Sequence, residues 1–400
     1  MKSTTAHHRI QQVFLYLGVI FLAANLRAPL TSVGPVIAEI SADLSLSNTA
    51  AGFITTIPLM AFAFLSGIMP RISRKFGMEI VLFSSLILLG LGLGIRSTGN
   101  VFTLFTGAAL VGIAITVGNV LMPPYIKKYF PKKVGSVMGI YSVAMNLTAA
   151  LAAGFSINLG KISALGWKSS IGIWVLLTVF TVLIWVPQIK KKSSSNTLLQ
   201  KEENEAPKIN LYKSKLAWAV TIFMGLQSLL YYCLTAWLPK VMQTWGMDVE
   251  ASGWALSYVQ FAQLPTTFLG AIIATKMKDQ RFLAASVGIL CSVGIIGLLI
   301  FKTQFVLLWC VLIGIGSGLA FSLSMLFFVL RTQHTAHATK LSGMAQSFGY
   351  LIAACGPPIF GGIYDLTLSW NWSFIFLLIL TSVLFIAGIF AGRNTYVAAS

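Results

Sequence analysis

Acidic side chains are scarce in this 400-residue chain: ten Asp and Glu stand against 28 Lys and Arg, and charged residues of all kinds make up only 10%. A soluble chain of this length would carry about 25%, so a wholly water-facing surface is excluded. Cysteine is scarce as well. Its four copies, Cys233, Cys291, Cys310 and Cys355, sit in apolar stretches without metal-ligand spacing, which leaves them as thiols packed among helices. No lysine-bearing phosphate loop follows a strand, so the runs "GIGSG" from Gly314 and "GPPIFGG" from Gly356 read as close helix contacts. No nucleophile, base and metal cluster is apparent, so neither an enzyme nor a cofactor is expected.

What the chain has in quantity is apolar length. Hydrophobic residues make up 56% and the mean hydropathy is +0.83. Apolar runs near the roughly 20 residues needed to cross a bilayer recur throughout. They fall at 12–38, 48–69, 80–96, 101–123, 134–157 and 168–187, then at 216–242, 253–275, 282–301, 304–329, 342–363 and 372–391. The expectation is an all-α integral membrane protein with twelve transmembrane helices. No cleavable signal peptide is evident.

The net charge of +18 follows topology rather than nucleic acid. With the N-terminus inside, 22 of the 28 basic residues fall in termini and loops on the inner side. By the positive-inside rule both termini are cytoplasmic in the cell's inner membrane, and basic loops touch anionic lipid heads as a secondary effect. Trp167, Trp237, Trp245, Trp370 and Trp372 read as an outer interfacial belt.

The polar stretch "KKKSSSNTLLQKEENEAPKIN" from Lys190 separates six runs from six. It predicts a bundle over 1–188, a cytoplasmic linker over 189–214 and a second bundle over 215–400. The halves echo one another: "LVGIAITVGN" from Leu110 aligns with "LIGIGSGLAF" from Leu312, and "AAGF" at Ala50 with "ASGW" at Ala251. Repeated bundles joined by a linker are the plan of a secondary transporter with its site near the midplane.

Three stretches, "NLRAPLTSVGP" (Asn25 to Pro35), "GNVLMP" (Gly118 to Pro123) and "LSGMAQSFGYLIAACGPPIFGGIYDLTLSW" (Leu341 to Trp370), point further. Through them the chain resembles the major facilitator superfamily, and within it the cyanate and 2-nitroimidazole transporter family. The resemblance implies two pseudo-symmetric six-helix bundles and transport of cyanate-like anions or nitroaromatic compounds. Two patterns of the wider superfamily are altered: Arg71 stands where an aspartate is usual, and Ala108 where an arginine is.

Arg27 is the residue that demands an explanation. It is near the middle of the run from Val13 to Ala38, about 21 Å along a helix rising 1.5 Å per residue, and no acid lies at its depth. A charge there is costly and marks a site by default. Its planar fork suits an anionic or nitro oxygen pair; bonding to backbone carbonyls beside Pro29 is the packing alternative. Polar candidates for the same pocket are Asn25, Asn119, Asn146, Gln260 and Gln263, with two i,i+4 pairs, Gln227 with Tyr231 and Gln346 with Tyr350. Each could instead join helices. Glu39 and Asp43 read as a solvated outer rim.

The expected function is secondary transport of a small anionic or nitro-bearing solute by alternating access, by a monomer, with Arg27 at the centre. Proton coupling would have to run through Glu39, Asp43 or the solute's own ionisation. The rival reading is a broad-specificity drug efflux transporter in which Arg27 is structural.

Overall fold

A computed structural model describes residues 2–130, 133–189, 210–333 and 335–397. In the first half the helices are α1 (Lys2–Thr31), α2 (Val33–Asp43), α3 (Asn48–Leu65), α4 (Met69–Phe76), α5 (Met78–Arg96), α6 (Val101–Tyr129), α7 (Val134–Gly160), α8 (Trp167–Gly172) and α9 (Trp174–Trp185). The second half holds α10 (Lys215–Thr244), α11 (Val249–Lys276), α12 (Arg281–Phe301), α13 (Val306–Leu330), α14 (Thr335–Thr367) and α15 (Trp370–Ala391). Most of the expected linker, 190–209, lies outside the described residues.

Among the described residues ten helices are long and apolar enough to cross a membrane. Two more, α11 and α14, run 28 and 33 residues and complete twelve crossings in two six-helix bundles. Their lower apolarity has a local cause. They bear Gln260 and Gln263, which are buried, and Thr266, Gln346 and Tyr350, which are half-buried.

Several boundaries differ from the sequence reading, each for a backbone reason. The first run is two helices broken at Ser32, between Pro29, which lacks the N–H of a helix interior, and Pro35, tolerated in the first turn of α2. The sixth run is interrupted at Ile173 between α8 and α9. Between α12 and α13 the chain turns within 302–305, with Lys302 and Phe305 at φ of 51° and 56°. Polar residues start several helices: Ser47, Asn100, Ser214 and Asp248 each accept a backbone N–H from the first turn.

An even number of crossings returns the chain to the end where it began, so the termini share a near end. At the far end the halves are tied together. Asp365 of α14 accepts from the backbone N–H and amide of Asn48 at 3.3 and 2.5 Å, and from the backbone N–H and hydroxyl of Thr49 at 2.8 and 3.0 Å. A carboxylate on the open N–H groups that begin α3 is stabilised by the helix dipole. Lys240 donates to Asn48, Lys161 pairs with Glu250, and Thr56 and Ser257 donate to the carbonyls of Ala354 and Ala150 across the interface. Gly34 of α2 lies so close to α10 that a Cβ there would sit 1.9 Å from the Thr235 carbonyl oxygen.

The interfacial-belt reading of the tryptophans needs correction. Trp167, Trp237 and Trp370 are fully buried. Their indole N–H groups donate to Asp43, to the Pro357 carbonyl and to Thr244. Only Trp372 is exposed, while Trp245 packs on Phe374. Glu39 and Asp43 are rim residues, and they also hold Trp167 at the start of α8.

The far-end tie gives a testable consequence. Replacing Asp365 with alanine is expected to raise, by severalfold, the alkylation rate of a single cysteine placed at Thr56, which is buried beneath it. An unchanged rate would show that the tie does not hold the halves together.

Candidate functional site

The site is assembled from both halves around one guanidinium. Arg27 lies on α1, one turn before the break at Ser32. Carbonyls at a helix end lack some of their helical partners, and Arg96 supplies one at the end of α1. Its Nη1 donates to the Pro29 carbonyl at 2.8 Å, its Nη2 to Ile171 at 3.5 Å, and it is 1% exposed. A cation at a helix C-terminus is favoured by the dipole, so Arg96 fixes the stretch that presents Arg27.

The Arg27 head crosses to the second half. It stands 4.9 Å from the centroid of the Tyr231 ring and 6.0 Å from that of Phe321. Cation–π attraction strengthens when the pair is desolvated. Among the described residues Arg27 joins none of the ion pairs. Its remaining accessible surface faces a cavity of about 20 Å³ walled by Asn146, Gln227, Ser228, Tyr231, Tyr232, Gln263, Ser317, Phe321 and Tyr350. No carboxylate is in this wall. A volume of that size holds a water-sized body, so a larger guest requires the halves to separate around Arg27.

The sequence profile of the Major Facilitator Superfamily matches residues 14–354. The chain belongs to that superfamily. It is 41% identical over 390 residues to an uncharacterized transporter, YycB, of Bacillus subtilis (strain 168), covering 97% of this chain and 96% of that one. It is 34% identical to the 2-nitroimidazole transporter of Escherichia coli (strain K12), covering 98% and 99%. It is 26% identical to the cyanate transport protein CynX of the same strain, covering 90% and 93%. A D-xylose–proton symporter crystal structure superposes with a TM-score of 0.76 at 14% identity, over 97% and 98% of the two chains. That last likeness concerns fold alone. The superfamily comprises membrane transporters rather than enzymes.

Within this superfamily member, six of the ten residues singled out from sequence meet at the cavity: Arg27, Asn146, Gln227, Tyr231, Gln263 and Tyr350. Gln260 stands just behind it, donating from Nε2 to the Tyr231 hydroxyl at 3.1 Å. Three lie elsewhere. Asn25 is fully buried against α9, donating to Thr181 at 2.7 Å and accepting from Thr178 at 2.6 Å. Gln346 donates to Ser342 one turn back, and Asn119 is outside the wall.

Four wall residues escaped the sequence reading: Ser228, Tyr232, Ser317 and Phe321. A signal existed. Ser228 with Tyr232 and Ser317 with Phe321 are i,i+4 pairs, and the internal repeat pairs Asn119 with Phe321. Taking the polar member of that pair missed the aromatic one that faces Arg27.

Asn25 separates packing from recognition. Asn25→Leu is expected to cost about 1 kcal/mol, the scale of an interhelical membrane hydrogen bond, and to leave the substrate KM unchanged. Thermal unfolding and transport assays on the same preparation check both; a raised KM with unaltered Tm would contradict the assignment.

Proposed function

We propose that this chain is a secondary transporter that moves a small anionic or nitro-bearing solute across the cytoplasmic membrane by alternating access, with Arg27 as the central binding residue. The observation behind the proposal is the state of that guanidinium: unpaired by any acid among the described residues, aimed into a cavity, and flanked by aromatic rings of the opposite half. A permanent cation in a wall without carboxylates favours acceptor-rich solutes. Its fork suits two oxygens of one planar group. The relatives named for 2-nitroimidazole and cyanate transport support the same class.

Two rigid units, 1–188 and 215–400 joined by 189–214, would rock about the site, with both termini in the cytoplasm and the chain acting as a monomer. The far-end tie through Asp365 and Lys240 would then close the outer mouth. An inside-negative potential drives a monovalent anion outward by about 2.3 kcal/mol per 100 mV, so export needs no coupled ion. Import would draw on protons, through the rim carboxylates or the solute's own ionisation.

Thermal stabilisation of the purified protein by small anions and nitro compounds tests this reading, because a ligand of the folded state raises its apparent stability. The wild type is expected to be stabilised and Arg27→Ala not, although that variant remains folded. Arg27→Lys should recover little, since a point charge lacks the fork. Stabilisation of both proteins by bulky lipophilic compounds alone would favour broad drug efflux and make Arg27 a packing residue.

A further inference from the structure

We propose that Gln263 is the second reader of the substrate, and that the site selects planar solutes with acceptor atoms at two separated positions. This rests on the reading of Arg27 as the substrate-binding cation. Gln263 lines the same cavity, is 4% exposed, and its Nε2 finds no protein acceptor. Buried amide donors are nearly always paired, and one left over in a cavity wall is a donor offered to a ligand.

Its position is fixed by close helix packing. A Cβ at Gly318 of α13 would lie 2.9 Å from the Gln263 carbonyl oxygen and 3.1 Å from its Cα. A Cβ at Gly314, one turn away, would lie 2.5 Å from the Val259 carbonyl oxygen. The two glycines let α11 seat directly on α13, and the hydroxyl of Thr266 donates to the Gln263 carbonyl at 3.2 Å. The backbone is held, and the side chain, with its unpartnered amide nitrogen, lines the cavity.

The neighbouring polar groups sharpen the requirement. Gln260 donates to the Tyr231 oxygen, so the single phenolic hydrogen of Tyr231 is free to point elsewhere. The amide of Gln227, by contrast, is engaged with Ser228 at 2.8 Å. Arg27 and the amide of Gln263 therefore offer donors from opposite halves, and the Tyr231 hydroxyl is a third. A compact anion whose acceptors share one centre satisfies Arg27 and leaves Gln263 unpaired. A planar nitroheterocycle, whose ring nitrogen is a second acceptor beside the nitro group, satisfies both and links the two bundles.

The test uses the full-length protein in proteoliposomes with two probes, 2-nitroimidazole and nitrate, and three variants. Gln263→Leu is expected to raise KM for 2-nitroimidazole about tenfold, with kcat within about twofold and nitrate affinity unaltered. Gln263→Met, which keeps the side-chain length and removes the donor, should raise the 2-nitroimidazole KM to a similar extent while leaving the ligand-free Tm within a few degrees of wild type. An unchanged KM in Gln263→Leu, or an equal loss for both probes, overturns the proposal. If Arg27→Ala abolishes transport while both Gln263 variants behave as wild type, the Arg27 reading stands and this one falls. If Arg27→Ala transports normally, or neither probe binds the wild type, both fall.

Discussion

A guanidinium at mid-depth in a membrane, with no acid among the described residues to answer it, constrains everything around it. A charged side chain at the centre of a spanning helix costs about 3 kcal/mol even on lenient scales. The fold meets that cost with dipoles and rings instead of a carboxylate. Tyr231 and Phe321 approach from the second half, and amides and hydroxyls fill the rest of the wall. A fixed counter-ion would have neutralised the site permanently. Aromatic faces and neutral donors leave the charge unneutralised, as the proposed binding role requires.

The surrounding architecture serves that arrangement. The break after α1 ends the helix one turn beyond Arg27, and buried Arg96 secures its Pro29 carbonyl. Polar residues concentrate on α11 and α14, the two crossings of lowest apolarity, where Gln260 and Gln263 are buried and Gln346 and Tyr350 half-buried. Close approaches at Gly34, Gly314 and Gly318 bring helix backbones together where a single methyl group would separate them. At the far end, Asp365 seated on the start of α3 links the halves through polar bonds, which water could replace if the bundles part as proposed.

The fold was legible because bilayer thickness leaves a strong trace in sequence: apolar runs of set length, an internal repeat and a one-sided distribution of lysine and arginine. Arg27 was legible for the same reason, as a charge where none belongs. Its neighbours were less so. Asn25 and Gln263 look alike in sequence, yet one is bonded to Thr178 and Thr181 and the other faces the cavity. The difference lies in helix rotation and in which glycine abuts which backbone, quantities that sequence spacing does not determine. The tryptophans misled for a related reason. Trp167, Trp237 and Trp370 sit at the depth expected of interfacial residues but point inward, where carbonyl, carboxylate and hydroxyl partners take their N–H groups.

The central claim is that Arg27 holds the solute directly. A structure determined with a brominated nitroimidazole, located by the anomalous signal of its bromine, tests this most simply. The account predicts the nitro group within about 3 Å of the Arg27 guanidinium, the distance of a charge-assisted hydrogen bond, with the ring beside Tyr231. A compound bound elsewhere, with Arg27 still stacked on its aromatic neighbours, would contradict it.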